Sequence, residues 1–259
     1  MDDLSPEEAK ALEKKFLLSV RHFRTQFGYH LFSKFSGAIQ SGPFSGMKLL
    51  LDSSWSDGDL CPKIIGTFEQ ELHEEIYRVI DKKYKLIVNI GCAEGYYSVG
   101  FAKNMPDTTR VIAIDIDKKA LSICSKVAKA NGVDSKISFK TGCSPESLKD
   151  ILLKSDDVLL FLDCEGAERE LLDPGVIPEL RRVDFVVECH DFLGDKITSQ
   201  LQARFKATHE ITIITEQTRD PYAYDILKGL NGLDKQIVLC EFRPETMQWL
   251  VCRSQSSHR

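Results

Sequence analysis

From Lys85 to Asp191 the sequence alternates between short apolar runs and longer stretches with helical patterning. Each apolar run is nearly continuous, which is typical of strands buried on both faces of a parallel sheet. We therefore predict a doubly wound α/β fold with a mostly parallel sheet. The five runs are KLIVNIG, RVIAIDID, KISFKTG, DVLLFLDCEG and DFVVECHD.

The segments on either side of this region complete the prediction. Before it, SPEE at Ser5 predicts the capped start of a helix that runs to about Phe35. Residues 36–62 predict loops or a short hairpin, and a second capping pattern at Thr67 predicts a helix to about Lys82. After Asp191 we predict a helix to about Phe205 and then three strands, HEITIIT, QIVLCEF and MQWLVCR.

The first helix has an apolar face without a large partner in its own segment. We therefore predict two regions: a helical extension over residues 1-82 that packs on a core domain over residues 83-259.

Composition and charge exclude several classes of protein. The net charge of −5 argues against a broadly basic surface for nucleic acid. The eight cysteines form no C-x-x-C pair, which argues against a zinc ribbon or a disulfide scaffold. The N-terminus is acidic, and no apolar run is long enough to span a bilayer. We expect a soluble, cytoplasmic protein with free thiols.

A glycine turn and a carboxylate follow the first two predicted strands. Gly91 and Gly95 allow a tight turn that approaches a ligand closely, although such turns also arise from packing alone. Their G-x-x-x-G spacing differs from the dinucleotide pattern and disfavours a nicotinamide oxidoreductase. Asp115 can accept both hydroxyls of a ribose, and Asp117 is expected to cap the next helix.

Acidic residues and a histidine follow the fourth and fifth predicted strands. Asp163, Glu165 and Glu168 come after the fourth, and Glu188 and His190 come at the end of the fifth. If the strands are neighbours, these groups lie close together, where carboxylates raise one another's pKa or require a cation. The alternative is a set of helix caps and a hydrogen-bonded imidazole. We predict that these side chains form the site of a chemical reaction.

These stretches together resemble the FkbM-type family of class I S-adenosylmethionine-dependent methyltransferases. The resemblance covers roughly Lys85 to Phe205, and it depends on VNIGCAEGYYSVGFA, AIDID and above all LDCEGAERELL, which resembles the Asp-x-Glu-Gly-x-Glu signature of that family. The segments SGPFSGM and IIGTFEQEL resemble the lead-in of some members. The chain departs from most class I enzymes at Asn89, where they carry an acidic residue.

The resemblance implies a Rossmann-like, seven-stranded fold and a set of cofactor contacts. It assigns the ribose to Asp115 and its neighbour Ile116, the adenine side to Gly142 and Cys143, and the position beside the reacting methyl to Asp163. The methionine part falls to the turn after the first strand: Asn89, Gly91, Cys92, Ala93, Glu94, Gly95, Tyr96 and Tyr97.

The implied reaction is O-methylation of a hydroxyl on a sugar or small metabolite. We expect catalytic roles for Asp163, Glu188 and His190, with His190 as the base. Asp163, Glu165 and Glu188 could instead hold a divalent cation such as magnesium or calcium. The acceptor is expected to be a small molecule or a glycan, and a homodimer is compatible with this class. The alternatives are a methyltransferase acting on RNA or protein, and a binding module without turnover.

Overall fold

The computed structural model describes residues 5–54, 59–194 and 196–258, and it contains one seven-stranded sheet. The strand order is β3-β2-β1-β4-β5-β7-β6, with β1 to β5 parallel and β7 antiparallel to both β5 and β6. The predicted doubly wound, mostly parallel fold is confirmed. The strands are β1 (Leu86–Ile90), β2 (Arg110–Asp115), β3 (Ile137–Thr141), β4 (Val158–Leu162), β5 (Asp184–Cys189), β6 (His209–Thr215) and β7 (Gln248–Ser254).

The described α-helices lie on both faces of the sheet, and three of them form part of the N-terminal segment. Asp117 caps the helix that follows β2, as predicted, because its side chain accepts the backbone N–H of Lys119 at 2.7 Å. The α-helices are α1 (Pro6–Phe35), α2 (Leu60–Ile65), α3 (His73–Lys82), α4 (Tyr96–Asn104), α5 (Lys118–Ala130), α6 (Pro145–Leu152), α7 (Glu168–Leu171), α8 (Ile197–Phe205) and α9 (Gly232–Leu239). None of these helices has the length and apolar character needed to cross a membrane.

Helix α1 begins as the sequence predicts. Ser5 and Glu8 form a capping box, in which each side chain satisfies a backbone N–H of the other residue. Residues 5–19 are exposed throughout, and burial begins at Val20. The buried positions then recur every three or four residues, at Val20, Arg24, Gly28 and Leu31, so only the second half of α1 packs on the body of the protein.

The N-terminal segment contributes to the main hydrophobic core. The ring of Phe44 meets the rings of Tyr96, Tyr97 and Phe101 edge-on, with centroids 5.2, 5.9 and 5.5 Å away. Gly100 makes this approach possible, because a Cβ there would lie 2.6 Å from the Phe44 ring. Ile39, Met47 and Leu72 are buried in the same cluster.

Two predicted elements are corrected. QIVLCEF is not a strand: its first residues belong to α9, which Asn231 caps by accepting the backbone N–H of Asp234 at 2.9 Å. The helix predicted from Thr67 begins only at His73, after a short 3-10 helix. The reason is Glu69, which has a left-handed backbone (φ 46°) and a carboxylate engaged elsewhere.

The segment over residues 36–62 contains an isolated antiparallel bridge between Ala38 and Lys48, where the sequence indicated loops or a short hairpin. It also contains the start of α2 at Leu60, which the sequence analysis did not predict. Residues 55–58 of this loop lie outside the described residues.

Candidate active site

A cavity of about 440 Å³ lies at the carboxyl ends of β1, β2 and β4. This is the edge of an α/β sheet where ligands bind. Seven of the residues that the sequence assigned to a cofactor line it: Gly91, Ala93, Asp115, Ile116, Gly142, Cys143 and Asp163.

Gly91 is required where β1 and β4 end side by side. Its φ is +80°, and a Cβ at this position would lie 1.6 Å from the carbonyl oxygen of Asp163. The backbone N–H groups of Gly91 and Cys92 both donate to the carbonyl of Ile114, at 2.9 and 3.0 Å. The glycine therefore lets the turn run beside Asp163 along the cavity.

Asp115 joins the turn after β1 to the turn after β2. Its Oδ2 accepts the backbone N–H of Ala93 at 2.9 Å, and its Oδ1 accepts that of Asp117 at 2.8 Å. Each carboxylate oxygen retains a second lone pair. Asp115 is thus a fixed acceptor on the cavity wall, and it fits a ligand that carries hydroxyl donors.

The other predicted contacts of this turn lie outside the cavity lining. Asn89 is buried, where it accepts from Ser98 Oγ at 2.7 Å and donates to the carbonyl of Phe161 at 3.3 Å. Gly95 packs against Cys124, whose Sγ would lie 2.4 Å from an added Cβ. The remaining members, Cys92, Tyr96 and Tyr97, are buried in the main core cluster. Their predicted direct contact with a cofactor does not fit these positions.

Glu94 also lies outside the lining, but it holds a residue that lines the cavity. Its Oε1 accepts the backbone N–H and the hydroxyl of Ser54, at 2.5 and 2.6 Å. Burial raises the pKa of Glu94, but the charge of Lys63 and the bonds from Ser54 outweigh this and lower it. Glu94 therefore fixes the chain at Ser54 over the cavity.

His190 lies between three carboxylates at the ends of β4 and β5, which are neighbours as the sequence predicts. Its Nε2 is 3.5 Å from Asp163 Oδ1 and 3.5 Å from Glu165 Oε2, and its Nδ1 is 3.1 Å from Glu168 Oε1. Burial lowers the pKa of His190, but the bond to Glu168 and the surrounding carboxylate charges outweigh this and raise it.

Glu188 does not join Glu165 in one cluster, which corrects the predicted ligand set. Two groups of side chains share Asp163: one contains Glu165 and His190, and the other contains Glu69 and Glu188. Within each group the candidate ligand atoms lie within 4.8 Å of one another. The first group borders the cavity through Asp163 and Glu165, whereas Glu188 is 4% exposed and does not line the cavity.

Burial and mutual repulsion change the pKa values of these carboxyl groups. Burial, together with the charge of Glu165, raises the pKa of Asp163 despite the opposite effect of His190. Burial and the charges of Asp163 and Glu69 raise the pKa of Glu188. Burial also raises the pKa of Glu69 to about 7, against the lowering effect of Arg243. Burial and the mutual repulsion of these carboxyl groups therefore favour their protonated forms, whereas the charge of Arg243 opposes this.

Three residues that form ion pairs next to these carboxyl groups were missed by the sequence analysis: Glu69, Glu241 and Arg243. Arg243 pairs with Glu69 at 2.9 Å, with Glu241 at 3.0 Å and, at shorter range, with Glu188. Arg243 lies between the predicted strands QIVLCEF and MQWLVCR, and Glu69 lies near the start of the helix predicted from Thr67. No spacing rule links positions 174 residues apart, so the available signal was only that both lie beside apolar segments.

A second and larger cavity, of about 800 Å³, borders this ion-pair cluster. One wall comes from the exposed half of α1, at Phe16 and Leu17, and another comes from residues 236–246. Glu241 and Arg243 lie on its lining, whereas Asp163 and Glu165 line the 440 Å³ cavity, and the two cavities share no lining residue.

Comparison with known proteins identifies the class. The sequence profile of a family described as O-methyltransferase matches residues 76–167. A caffeoyl-CoA O-methyltransferase of Stellaria longipes is 34% identical over 70 residues, which are 27% of this chain and 29% of that enzyme. A protein of Pyrobaculum calidifontis described as "Probable cobalt-precorrin-6B C(15)-methyltransferase (decarboxylating)" is 33% identical over 147 residues, which are 56% of this chain and 74% of that protein. The chain belongs to the class I S-adenosylmethionine-dependent methyltransferases.

Solved structures of methyltransferases are similar at low sequence identity. A SAM-dependent O-methyltransferase from Thermotoga maritima aligns with 70% of this methyltransferase and 64% of its own chain, with a TM-score of 0.48 and 14% identity. An O-methyltransferase from Bacillus cereus in complex with SAH aligns with 68% of this chain and 78% of its own, with a TM-score of 0.44 and 14% identity.

S-adenosylmethionine is the cofactor of this methyltransferase, and the 440 Å³ cavity fits it chemically. Asp115 offers carboxylate oxygens to hydroxyl groups. Gly142 offers an open wall, since a Cβ there would meet nothing within 4 Å.

Proposed function

We propose that this methyltransferase transfers a methyl group to a hydroxyl of a small molecule, such as a sugar or a small metabolite, and that it is of the FkbM type. The observation that carries the proposal is the position of His190, whose Nε2 faces Asp163 and Glu165 at the border of the cofactor cavity. A hydroxyl is a poor nucleophile at neutral pH, so an imidazole at this position can assist the reaction by removing the hydroxyl proton.

The proposed cofactor contacts are those that line the cavity. Asp115 would accept the ribose hydroxyls, Gly142 and Cys143 would border the adenine, and Gly91 and Ala93 would border the methionine part. Asp163, at the end of β4, would lie beside the reacting methyl. When bound, S-adenosylmethionine supplies an electrophilic methyl group, so the protein has only to align the acceptor and exclude water.

His190 would take the proton of the acceptor hydroxyl. Glu168 accepts only, so Nδ1 carries the ring hydrogen and Nε2 of the neutral ring has a free lone pair. Nε2 is the atom on the side of Asp163 and Glu165.

A divalent cation is a second way to activate the hydroxyl. Asp163, Glu165 and His190 offer two carboxylate oxygens and one nitrogen, and Glu165 is 77% exposed, so an ion could reach them. These residues would hold the ion, which would lower the pKa of a bound hydroxyl. In that case Nε2 would be a ligand and not a base.

The eight cysteines all carry free thiols, which supports a reducing compartment such as the cytoplasm.

Radioactive methyl transfer tests this proposal. The protein is incubated with methyl-labelled S-adenosylmethionine and either the small-molecule or the macromolecular fraction of a cell extract. We expect label in small molecules, in a product that resists alkaline hydrolysis as a methyl ether does. Label in RNA or protein would contradict the proposal, and cofactor binding without transfer to either fraction would favour a binding module.

Two variants and a chelator assign the chemistry. His190→Ala should lower the rate about a hundredfold to ten-thousandfold and leave cofactor binding intact. His22→Ala, on the exposed face of α1, is the matched control. Loss of activity with EDTA and recovery with magnesium would favour the cation, whereas indifference to EDTA would favour His190 as the base.

A further inference from the structure

Asp163 belongs to a second closely spaced group of three carboxylates, of which only Asp163 lines the cofactor cavity. Ligand oxygens of Glu69, Asp163 and Glu188 lie within 4.8 Å of one another. The side chains of Glu69 and Glu188 are 3% and 5% exposed. Buried carboxylates at this spacing repel one another, so the group requires protons or a cation to be stable.

A cation is already in place, and it is the guanidinium of Arg243. Its Nη2 donates to Glu69 Oε1 at 2.9 Å and to Glu241 Oε2 at 3.0 Å, and its Nη1 donates to Glu188 Oε1. The guanidinium also lies 5.0 Å from the centre of the Trp249 ring. Carboxylates and an aromatic face therefore surround a side chain that is only 12% exposed.

Three of the carboxylate oxygens that a metal ion would need already accept hydrogen bonds from Arg243 or Tyr97. Glu69 gives Oε1 to Arg243 and Oε2 to the hydroxyl of Tyr97. Magnesium and calcium require about six to eight oxygen ligands at roughly 2.0 to 2.6 Å. A divalent ion in this group would also lie next to a fixed positive charge, whose repulsion is strong where water is scarce.

The group that borders the cavity differs in both respects. Asp163 and Glu165 pair with His190, a residue that is able to become neutral, and their side chains are 38% and 77% exposed. The two groups share Asp163 but have different surroundings.

We propose that Arg243 is the resident cation of the Glu69–Asp163–Glu188 group, so that this group binds no divalent ion while Arg243 is present and becomes a divalent-cation site when the guanidinium is removed. This inference concerns charge and binding, and it holds whether or not the protein methylates hydroxyls.

Binding of Mn²⁺ alone to the full chain tests the proposal, measured by calorimetry and by the loss of the free-ion paramagnetic resonance signal. Arg243→Met should gain one Mn²⁺ site at least tenfold tighter than any site in the unaltered protein, and adding Glu69→Gln should remove it. Arg243→Lys keeps the charge and should gain nothing. Arg253→Met is the matched control, because Arg253 also pairs with a buried glutamate, Glu75, outside the cluster.

Several results would overturn the proposal. One is a folded Arg243→Met variant that binds Mn²⁺ no better than Arg253→Met. Another is Mn²⁺ binding by the unaltered protein that Glu69→Gln or Glu188→Gln abolishes. This result requires no change at Arg243, so it remains decisive if Arg243→Met does not fold. Mn²⁺ binding that depends on Glu165 and not on Glu69 would support the proposal, because the ion would then be confined to the group at the cavity.

Discussion

Glu168 fixes the orientation of His190, with Glu168 Oε1 3.1 Å from His190 Nδ1. The carboxylate of Glu168 is fully buried and also accepts the backbone N–H groups of Cys164 and Gly166, at 2.9 and 2.8 Å. These two bonds tie Glu168 to the turn after β4, so this turn positions the imidazole of His190, the residue that follows β5. The other ring nitrogen is thereby directed at Asp163 and Glu165.

Replacing Glu168 with glutamine should change both the rate and its pH dependence. Glutamine removes the negative charge, so the pKa of His190 should fall and the acid limb of the rate profile should move to lower pH. The maximal rate should fall by about tenfold to a hundredfold, because the ring is no longer held in one tautomer and orientation. The measurement is the methyl-transfer rate between pH 5 and 9.

Glu170→Gln is the control, since Glu170 is exposed on the same short helix. A Glu168→Gln variant that loses stability and keeps the original pH profile would mean that Glu168 only supports the turn.

The unaltered protein should lose activity as the pH falls. A base must be neutral, and the pKa of His190 is raised above its ordinary value of 6.5. The rate of methyl transfer should therefore be maximal above the raised pKa and should decline as the pH falls through it, with half-maximal kcat above pH 6.5. A profile that stays flat down to pH 5.5 would contradict the assignment of His190 as the base.

The sequence predicted the lining of the 440 Å³ cavity better than the ion pairs that Arg243 forms. Strand periodicity and short turns are local, so the order of β1 to β5 and the positions of Gly91, Asp115 and Asp163 follow from nearby residues. Within the turn after β1, however, the sequence did not separate residues that face the cavity from those that face the core. Tyr96 and Tyr97 were assigned to a ligand and instead pack against Phe44.

The ion pairs of Arg243 could not be predicted for a different reason. They join residues of the N-terminal segment, the end of β5 and the C-terminal turn, which only the folded chain brings together. QIVLCEF was misassigned because its short apolar run suits a strand as well as a helix, and the cap at Asn231 favours the helix.

Asp115 should govern cofactor affinity. Asp115→Asn removes the negative charge and replaces one of the two oxygens, each of which accepts a backbone N–H, with an amide donor that would face the ribose hydroxyls of the proposed complex. Loss of hydrogen bonds to a charged group costs about 1.5 to 3 kcal/mol, so the Kd for S-adenosylhomocysteine should rise about tenfold to a hundredfold. Calorimetric titration measures it, with Asp150→Asn, an exposed aspartate on α6, as the control. An unchanged Kd in a folded Asp115→Asn variant would refute the ribose assignment.

Removing residues 1–82 should prevent stable folding of the remainder. Glu69 and Glu71 lie in this segment, and without them the buried guanidinium groups of Arg243 and Arg219 lose carboxylate partners. Breaking a buried ion pair typically costs about 3 to 5 kcal/mol, a large part of the stability of an ordinary domain. The deletion also uncovers the core surface that Phe44 fills.

A shorter truncation separates this effect from the loss of chain length. A protein that begins at Val20 lacks only exposed positions among the residues that the structure describes there, so it should unfold cooperatively with a Tm within a few degrees of the full chain. The fragment over residues 83–259 should instead aggregate or unfold without a cooperative transition in calorimetry. If that fragment is monomeric, unfolds cooperatively and binds S-adenosylhomocysteine with full affinity, the N-terminal segment is not part of the folding unit.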